Sequence, residues 1–385
     1  RYKLVYAAPE RLRQRPFVHT LGRAHISLLV IDEAHCVSLW GHDFRPDYLF
    51  ISKALPLLGN PTLLAMTATA TPAMRREIGQ QMGKSLVEVS TGTYRPNLRL
   101  EVHKAANEEE KLRLLVELVR REQGSGIVYA TAREKCEDLA ALLRKQGVKA
   151  IHYHAGMERQ EREQAQETFM LDRARVVCAT VAFGMGIDKA NIRFIVHFNL
   201  PESLEAYYQQ AGRAGRDGKP SRCVLLYSSA DKGNLTRWLR QGAVKVDHLR
   251  AVYRQIKATL PGGAGPVNAE DLQRECGLEE SQARVAVSLL EKAGLLARHL
   301  DLPRVVTVEA SAPTAGEDAF ADFVARARLR PGQQLSINSL ELAQRSGLPL
   351  IDLEERLLAW QEAGLLRLRG SAREMLIELK PPPAD

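Results

Sequence analysis

Ile26-Ser27-Leu28-Leu29-Val30-Ile31-Asp32-Glu33-Ala34-His35-Cys36-Val37-Ser38-Leu39-Trp40-Gly41-His42-Asp43-Phe44-Arg45-Pro46-Asp47-Tyr48 is the stretch whose reading decides the fold. Its first six residues are a short run, apolar but for Ser27, that reads as a buried strand. A carboxylate pair at the carboxyl end of such a strand is where an α/β sheet presents chemistry to a ligand. In phosphate-loop NTPases the first acid holds Mg²⁺ and a neighbouring group positions the attacking water. Asp32 and Glu33 stand in those two positions. The residues that follow place Trp40, Phe44 and Tyr48 among His42 and Arg45, the composition of a surface that stacks bases and holds phosphates. Burying such a loop would desolvate His42, Asp43 and Arg45, so its aromatics are expected near solvent.

The 385 residues are enough for several domains, each with its own core. Five cysteines (Cys36, Cys136, Cys178, Cys223, Cys276) are scattered without a Cys-x-x-Cys pair. That spacing argues against a disulfide framework and for a reducing compartment, so a cytoplasmic setting is expected, nucleoid-associated if bacterial. No apolar run approaches the ~18 residues of a membrane span, and no membrane partner is expected. The net charge is +8. The charges of residues 231–385 cancel, which places the whole excess in residues 1–230 and fits a phosphate-binding channel there.

Short apolar strands alternate with amphipathic helices over the first 230 residues, the pattern of a parallel sheet with crossover helices. Residues 1–95 read as the carboxyl-terminal half of a RecA-like domain, with strands at 3–7, 26–31 and 62–66 and a helix at 72–82. Residues 96–230 read as a complete second RecA-like domain. Its strands are expected at 126–129, 150–153, 175–178, 194–198 and 223–227, and its helices at 108–121, 133–146, 159–170 and 204–213. Residues 231–244 form a connector. Beyond them a repeat of period 70 appears: Leu272, Gly277, Leu278, Ala293, Gly294, Leu295 and Leu296 recur as Leu342, Gly347, Leu348, Ala363, Gly364, Leu365 and Leu366. Each copy reads as a winged helix. The copies span 245–310 and 317–380, with a linker at 311–316 and a disordered tail at 381–385. The expected fold class is therefore α/β, with two RecA-like parallel-sheet domains, the first incomplete, followed by two winged-helix (α+β) domains.

Further blocks lie in a fixed order. They are Ala8-Pro9-Glu10-Arg11-Leu12, Thr67-Ala68-Thr69-Ala70, Tyr94-Arg95-Pro96-Asn97-Leu98, Tyr153-His154-Ala155-Gly156-Met157, Ala179-Thr180-Val181-Ala182-Phe183-Gly184-Met185-Gly186-Ile187-Asp188-Lys189 and Tyr207-Tyr208-Gln209-Gln210-Ala211-Gly212-Arg213-Ala214-Gly215-Arg216-Asp217-Gly218. With the Asp32-Glu33-Ala34-His35 box and its aromatic loop, they make residues 1–230 closely resemble the RecQ family of superfamily-2 DNA helicases. One departure lies in the loop, where Leu39 precedes Trp40 and the family usually has a polar amide.

The resemblance implies an ATP- and Mg²⁺-dependent DNA helicase moving 3′→5′ in recombination and repair. It implies catalytic roles for Asp32, Glu33, His35, Gln209, Arg213 and Arg216. Asp32, Glu33, Gly186, Asp188, Arg213 and Arg216 would meet the nucleotide, Asp32 through Mg²⁺. Trp40, His42, Phe44, Arg45, Tyr153, His154, Met157 and Thr180 would meet DNA, single-stranded or forked. Arg216 is the best candidate for neutralising charge on the transferring phosphoryl group. Thr67 and Thr69 would link the two sites.

No Gly-x-x-x-x-Gly-Lys-Ser/Thr phosphate loop occurs in the 385 residues. Gly83-Lys84-Ser85 is a decoy, with Gly79 one residue too close, and Gly83 reads as a helix C-cap. The chain as written is expected to lack the amino-terminal part of the motor, to bind ATP poorly and to hydrolyse it negligibly. The four-cysteine zinc module usual in the family cannot form, because only Cys276 lies beyond Cys223, and no zinc site is expected. The recognition helices of the winged repeats are acidic, which suits base reading poorly. Their wings are basic, with Arg298, His299 and Arg304 in one and Arg367, Arg369 and Arg373 in the other. Docking of a protein partner through the second copy is as compatible with this pattern as a structural role. Two other readings stand beside the helicase: a non-hydrolysing DNA-binding or annealing protein derived from one, and an RNA helicase, against which the aromatic loop and winged helices speak.

Overall fold

The computed structural model describes residues 2–38, 44–90, 92–184, 187–311 and 318–381, with the side chain of Gln241 left aside. The chain forms two compact units, Arg1–Leu86 together with Ala243–Asp385, and Val87–Gly242.

The first unit begins with a 3-10 turn, Pro9–Arg13, and helix α1, Arg15–Arg23. Strands β1 (Leu28–Ile31) and β2 (Thr62–Ala65) pair in parallel, with α2 (Pro46–Leu57) between them and α3 (Pro72–Met82) after them. Alternate residues of the two strands turn inward: Leu29, Ile31, Leu63 and Ala65 pack with Val18, Phe50, Ile51 and Ile78, as the two-residue period of a strand requires. Thr71 Oγ1 accepts the Met74 N–H to start α3, and Gly83 at φ +61 ends it, so the Gly-Lys-Ser decoy is a helix cap. Residues 3–7, expected as a strand, are irregular, with Leu4, Val5 and Tyr6 exposed. Among the described residues no strand lies beside them, and a strand is defined by its pairing.

The second unit is β3 (Leu98–Lys104), α4 (Glu108–Arg121), β4 (Ser125–Tyr129), α5 (Arg133–Lys145), β5 (Ala150–Tyr153), α6 (Arg159–Met170), β6 (Val176–Ala179), β7 (Ile192–His197), α7 (Leu204–Ala211), β8 (Ser221–Tyr227) and α8 (Ser229–Gly242). The strands form one parallel sheet in the order β3-β8-β7-β4-β6-β5. Leu115, Leu118, Leu139 and Leu143 of α4 and α5 cover one face. Phe169 of α6 and Ala211 of α7 pack on the other. Both faces are buried, as parallel sheets demand. β3 went unread in the sequence, although Leu98, Leu100 and Val102 alternate with Arg99, Glu101 and His103. As an edge strand it leaves Leu100 and Val102 half exposed, which weakens the apolar signal. Residues 231–242, expected as connector, are helical and belong to α8.

The two repeats follow as α9 (Val246–Thr259), β9 (Ala264–Val267), α10 (Ala269–Cys276), α11 (Glu280–Lys292), β10 (Leu296–Arg298), β11 (Leu302–Pro303) and β12 (Val305–Ala310), then α12 (Asp318–Arg326), β13 (Gln334–Asn338), α13 (Ser339–Ser346), α14 (Leu353–Glu362), β14 (Leu366–Gly370) and β15 (Arg373–Leu379). The period of 70 extends to backbone detail. Asn268 and Asn338 cap equivalent helices with their side chains. Gly277 and Gly347 take φ +63 and +74, and Gly294 and Gly364 take +74 and +75, a region that favours glycine.

The sheets exchange their last strands. β15 of the second repeat pairs with β9, β10 and β11 of the first. β12 of the first pairs with β13 and β14 of the second. The cores follow the exchange: Met375 and Ile377 are buried with Val252, Ile256 and Leu290, and Val306 and Val308 with Phe320, Phe323 and Leu357. Each fully buried apolar side chain contributes about 1.5–3 kcal/mol, so the exchange is held by packing as well as by backbone hydrogen bonds.

A buried charge cluster fixes the repeats to the first RecA-like segment. Asp47, at the start of α2, accepts from Arg13 Nε at 2.5 Å and from Arg298 Nη1 at 3.4 Å. Arg298 Nη2 reaches Asp301 at 3.1 Å, and the Asp301 N–H donates to the Arg13 carbonyl. Burial, and after it the neighbouring Arg298 guanidinium, lowers the Arg13 pKa. Arg373 is likewise held by Glu354 and by the Asp301 carbonyl. Arg298 and Arg373, read from sequence as basic wing residues, are therefore structural; Arg304 and Arg367 remain exposed.

Three outcomes follow from this arrangement. Asp47→Asn leaves two buried guanidiniums short of charge compensation and is expected to cost about 3–5 kcal/mol in urea unfolding; a loss below about 1 kcal/mol would count against the cluster. Lys53→Met, which removes the exposed partner of Glu291, is expected to cost no more than about 1 kcal/mol. Cleavage at a protease site placed within 312–316 is expected to leave two fragments that elute together without denaturant. Separation of the fragments would show that the exchanged strands do not hold them.

Candidate nucleotide and nucleic-acid sites

The acid pair lies directly after β1. Glu33 takes φ +49, ψ +44, a left-handed conformation that non-glycine residues adopt at a cost of about 1–2 kcal/mol. Strain of this kind gathers at functional sites. The turn is fixed from several sides. Asp32 Oδ1 accepts the Glu33 N–H at 2.9 Å, the Ala34 N–H donates to the Met66 carbonyl, and Tyr48 Oη donates to the Asp32 carbonyl at 3.1 Å. Asp32 stays exposed and Glu33 is partly exposed, whereas His35 is buried. His35 Nδ1 lies 3.0 Å from Thr67 Oγ1 and 3.3 Å from Glu33 Oε2. The Thr67–Ala70 block and the acid box are thus joined through one imidazole.

The aromatic loop leaves this turn at Ser38 and returns at Phe44. Its base is closed by the Arg45 N–H on the Cys36 carbonyl and by Ser38 Oγ on Glu77 Oε2 at 2.6 Å. Arg45 is exposed and Phe44 half-buried. Tyr48 corrects the sequence reading. It is buried in the core of the first unit, and burial pushes its pKa up to about 12. It sits one turn into α2, where its ring meets apolar neighbours and its hydroxyl finds a carbonyl. Trp40, His42 and Gly186 lie outside the described residues.

In the second unit the arginine turn after α7 is built by residues far away in sequence. Arg95 donates to the carbonyls of Gly212, Ala214 and Gly215, the last at 2.8 Å. Asn97 Nδ2 donates to Gly215 and Lys219 carbonyls at 2.8 and 3.0 Å. Gly215 sits at φ +56, and a Cβ there would lie 2.5 Å from Asn97 Nδ2. The sequence showed the Tyr94–Leu98 block without revealing this role. Held in this turn, Arg213 donates to the Gly184 carbonyl, and Arg216 pairs with Asp188 at 2.8 Å. A Cβ on Gly184 would stand 2.6 Å from Arg213 Nη2, so any side chain there would push the guanidinium from its present place. Gln209 is half-buried on α7. Its neighbour Gln210 is buried, with Oε1 3.0 Å from His197 Nε2.

The residues expected to meet DNA lie at the other end of the same sheet. Thr180 follows the last residue of β6, and its N–H donates to the Tyr153 carbonyl. Tyr153 packs on Phe183 with ring centroids 4.8 Å apart. His154 is buried and bonds Glu137, and Met157 folds back so that its sulfur faces the His154 N–H. Carboxyl ends of parallel strands are the ligand-binding side of an α/β sheet. The arginine turn instead meets the amino end, since the Gly215 N–H donates to the Ile192 carbonyl at the start of β7.

Two family models match these parts. The DEAD/DEAH box helicase model covers residues 1–78, and the helicase conserved C-terminal domain model covers residues 110–218. The acid turn and the arginine turn therefore belong to a superfamily-2 helicase core. The chain is 41% identical over 261 residues to the ATP-dependent DNA helicase RecQ of Pasteurella multocida, covering 66% of this chain and 39% of that protein. It is 38% identical over 291 residues to the probable ATP-dependent DNA helicase RecS of Bacillus subtilis, covering 75% and 58%. With the Bacillus subtilis RecQ it shares 44% identity over 232 residues, 60% and 39%. The chain belongs to the RecQ family, and it spans between 39% and 58% of the length of these three relatives. No described helix is long and apolar enough to cross a membrane.

His197 gives this site a pH dependence. Burial lowers its pKa to about 4, against a raising effect from Gln210. Below the unfolded value of about 6.5 the unfolded chain binds the proton that the folded chain refuses. The stability this neutral imidazole maintains is full above that value and falls as pH drops towards 4, by on the order of 3 kcal/mol. His197→Gln is expected to flatten the fall in unfolding free energy between pH 6.5 and 4. An unchanged slope would show that His197 titrates alike in both states.

Proposed function

We propose that these residues supply the acid-pair and arginine-bearing parts of a RecQ-type DNA helicase. It couples ATP·Mg²⁺ hydrolysis to 3′→5′ movement on single-stranded or forked DNA in recombination and repair. The observation that carries the reading is the constrained turn after β1. Glu33 is held in a left-handed conformation with its carboxylate 3.3 Å from His35 Nδ1, beside the exposed Asp32.

The residues present suit the nucleotide and its metal. The Asp32 carboxylate spends one oxygen on the Glu33 N–H and is otherwise exposed, which matches a hard cation that keeps several waters. Bound ATP·Mg²⁺ would supply the phosphoryl group and the metal charge. Asp32 would hold the metal and Glu33 would orient the attacking water, with His35 tying Glu33 to Thr67. Arg216 neutralises developing negative charge, with Arg213 keeping the turn in place. Arg216 is paired with Asp188 here, so its engagement exchanges one oxygen partner for another. Arg45 and Phe44 of the first unit, and separately Thr180 and Met157 of the second, are groups of the kind that meet a single strand; His154, buried against Glu137, is less open to it than the sequence suggested. The second winged repeat is a candidate surface for a protein partner.

In a protein carrying residues 1–385 together with a phosphate loop, Glu33→Gln is expected to lower DNA-stimulated hydrolysis about 10²–10⁴-fold. The affinity for single-stranded DNA is expected to stay unchanged. Hydrolysis that persists while DNA binding is lost would overturn the assignment.

A further inference from the structure

Glu137, His152 and His154 each offer one ligand atom, and these three atoms lie within 4.8 Å of one another. The fold brings them together by two simple rules. His152 and His154 are separated by one residue at the end of β5, so both side chains leave the same face of the strand. Their rings lie 5.6 Å apart and 15° from parallel. Glu137 comes from α5, the helix preceding β5, and its Oε1 is 2.9 Å from His154 Nε2.

A hydrogen bond explains the pairing of His154 with Glu137, but it leaves two facts unexplained. The Nδ1 atom of His154 is buried without a partner, and buried polar atoms seldom lack one. His152 stands beside the pair, its ring stacked 5.6 Å from that of His154. The local charges permit a cation: Glu137 and Glu161 oppose Arg144 at His152. Access is open, because the Glu137 side chain is 53% exposed.

We propose that Glu137, His152 and His154 form a binding site for a divalent transition ion of the zinc class. Two imidazoles and one carboxylate suit Zn²⁺ better than Mg²⁺ or Ca²⁺, which take oxygen ligands. Three protein ligands leave a fourth position open to water. Ligands on a tetrahedral ion stand about 3.3 Å apart, so an ion would draw the histidines as well as Glu137 inward from their present span of up to 4.8 Å. The site is separate from the acid turn and uses no cysteine. An ion there would tie α5 to β5, the outermost strand of the sheet.

Co²⁺ serves as the spectroscopic probe. The 385-residue chain is expected to take up one equivalent, with the visible absorption of a four-coordinate ion, and to release it to Zn²⁺. Glu137→Gln, at an exposed position that leaves the fold intact by circular dichroism, is expected to weaken binding at least about 10-fold; so is His152→Asn. No four-coordinate absorption, or affinity unchanged in either variant, would overturn the proposal.

Discussion

Asp47 is the charge on which the first unit depends. It sits at the amino end of α2, one residue before the tyrosine that supports the acid turn, and it accepts from two arginines that come from opposite ends of the chain's sequence. A buried carboxylate without partners would be costly, and so would either guanidinium. Together, with Asp301 as the second acid, they neutralise one another. The consequence is topological. The two repeats that follow the second RecA-like domain in sequence are bound into the same compact unit as the first segment. The exposed pairs around the cluster, Arg15–Glu355 and Lys53–Glu291 among them, add little energy individually. Their use is orientation, since each spans from the first segment to a helix of the repeats.

The strand exchange makes the two repeats one folding object. Neither sheet is complete without a strand from the other, and Ile377 and Val308, both fully buried, lie in cores their own repeats did not nucleate. Arg298 closes β10, which pairs with β15, and it also reaches Asp47. Strand β15 is thus linked to the acid turn by a short chain of contacts: through β10 and Arg298 to Asp47 of α2, and from α2 through Tyr48 to Asp32.

Much of this was legible in the sequence where local chemistry dictates it. The strand before Asp32, the helix cap at Gly83 and the alternation of strands and helices over residues 108–227 each need only short-range pattern, although Leu28 and Val30 stay about half exposed in a strand read as buried. The exchange was not legible, because Val306-x-Val308 and Met375-x-Ile377 announce strands with one buried face and say nothing about which sheet they enter. The wing arginines misled for a related reason. A basic residue in a strand is the same letter whether its acid lies three residues away, as Asp301 does from Arg298, or far off in another element, as Asp47 does. Tyr48 misled because an aromatic one turn into a helix shares its neighbourhood in sequence with an exposed loop but not its neighbourhood in space. Arg95 and Asn97 carried a signal as part of a motif, yet their work, holding carbonyls of the turn at 212–219, is visible only when that turn is beside them.

The second unit holds two clusters of motif residues at opposite ends of one sheet. Thr180 lies beside Tyr153 at the carboxyl end of β5, and Asp188 pairs with Arg216 near the amino end of β7. In between, the Gly184 carbonyl accepts from Arg213, while Tyr129 Oη donates to the Phe183 carbonyl from within the core. A displacement of Thr180 by a strand of nucleic acid could not stay local. Phe183 is wedged between Tyr153 and Phe169, and close-packed aromatic contacts transmit a shift instead of absorbing it. The next groups along the chain are the partners of the two arginines. A shift at Thr180 therefore reaches Phe183 and, next to it, the Gly184 carbonyl on which Arg213 is held.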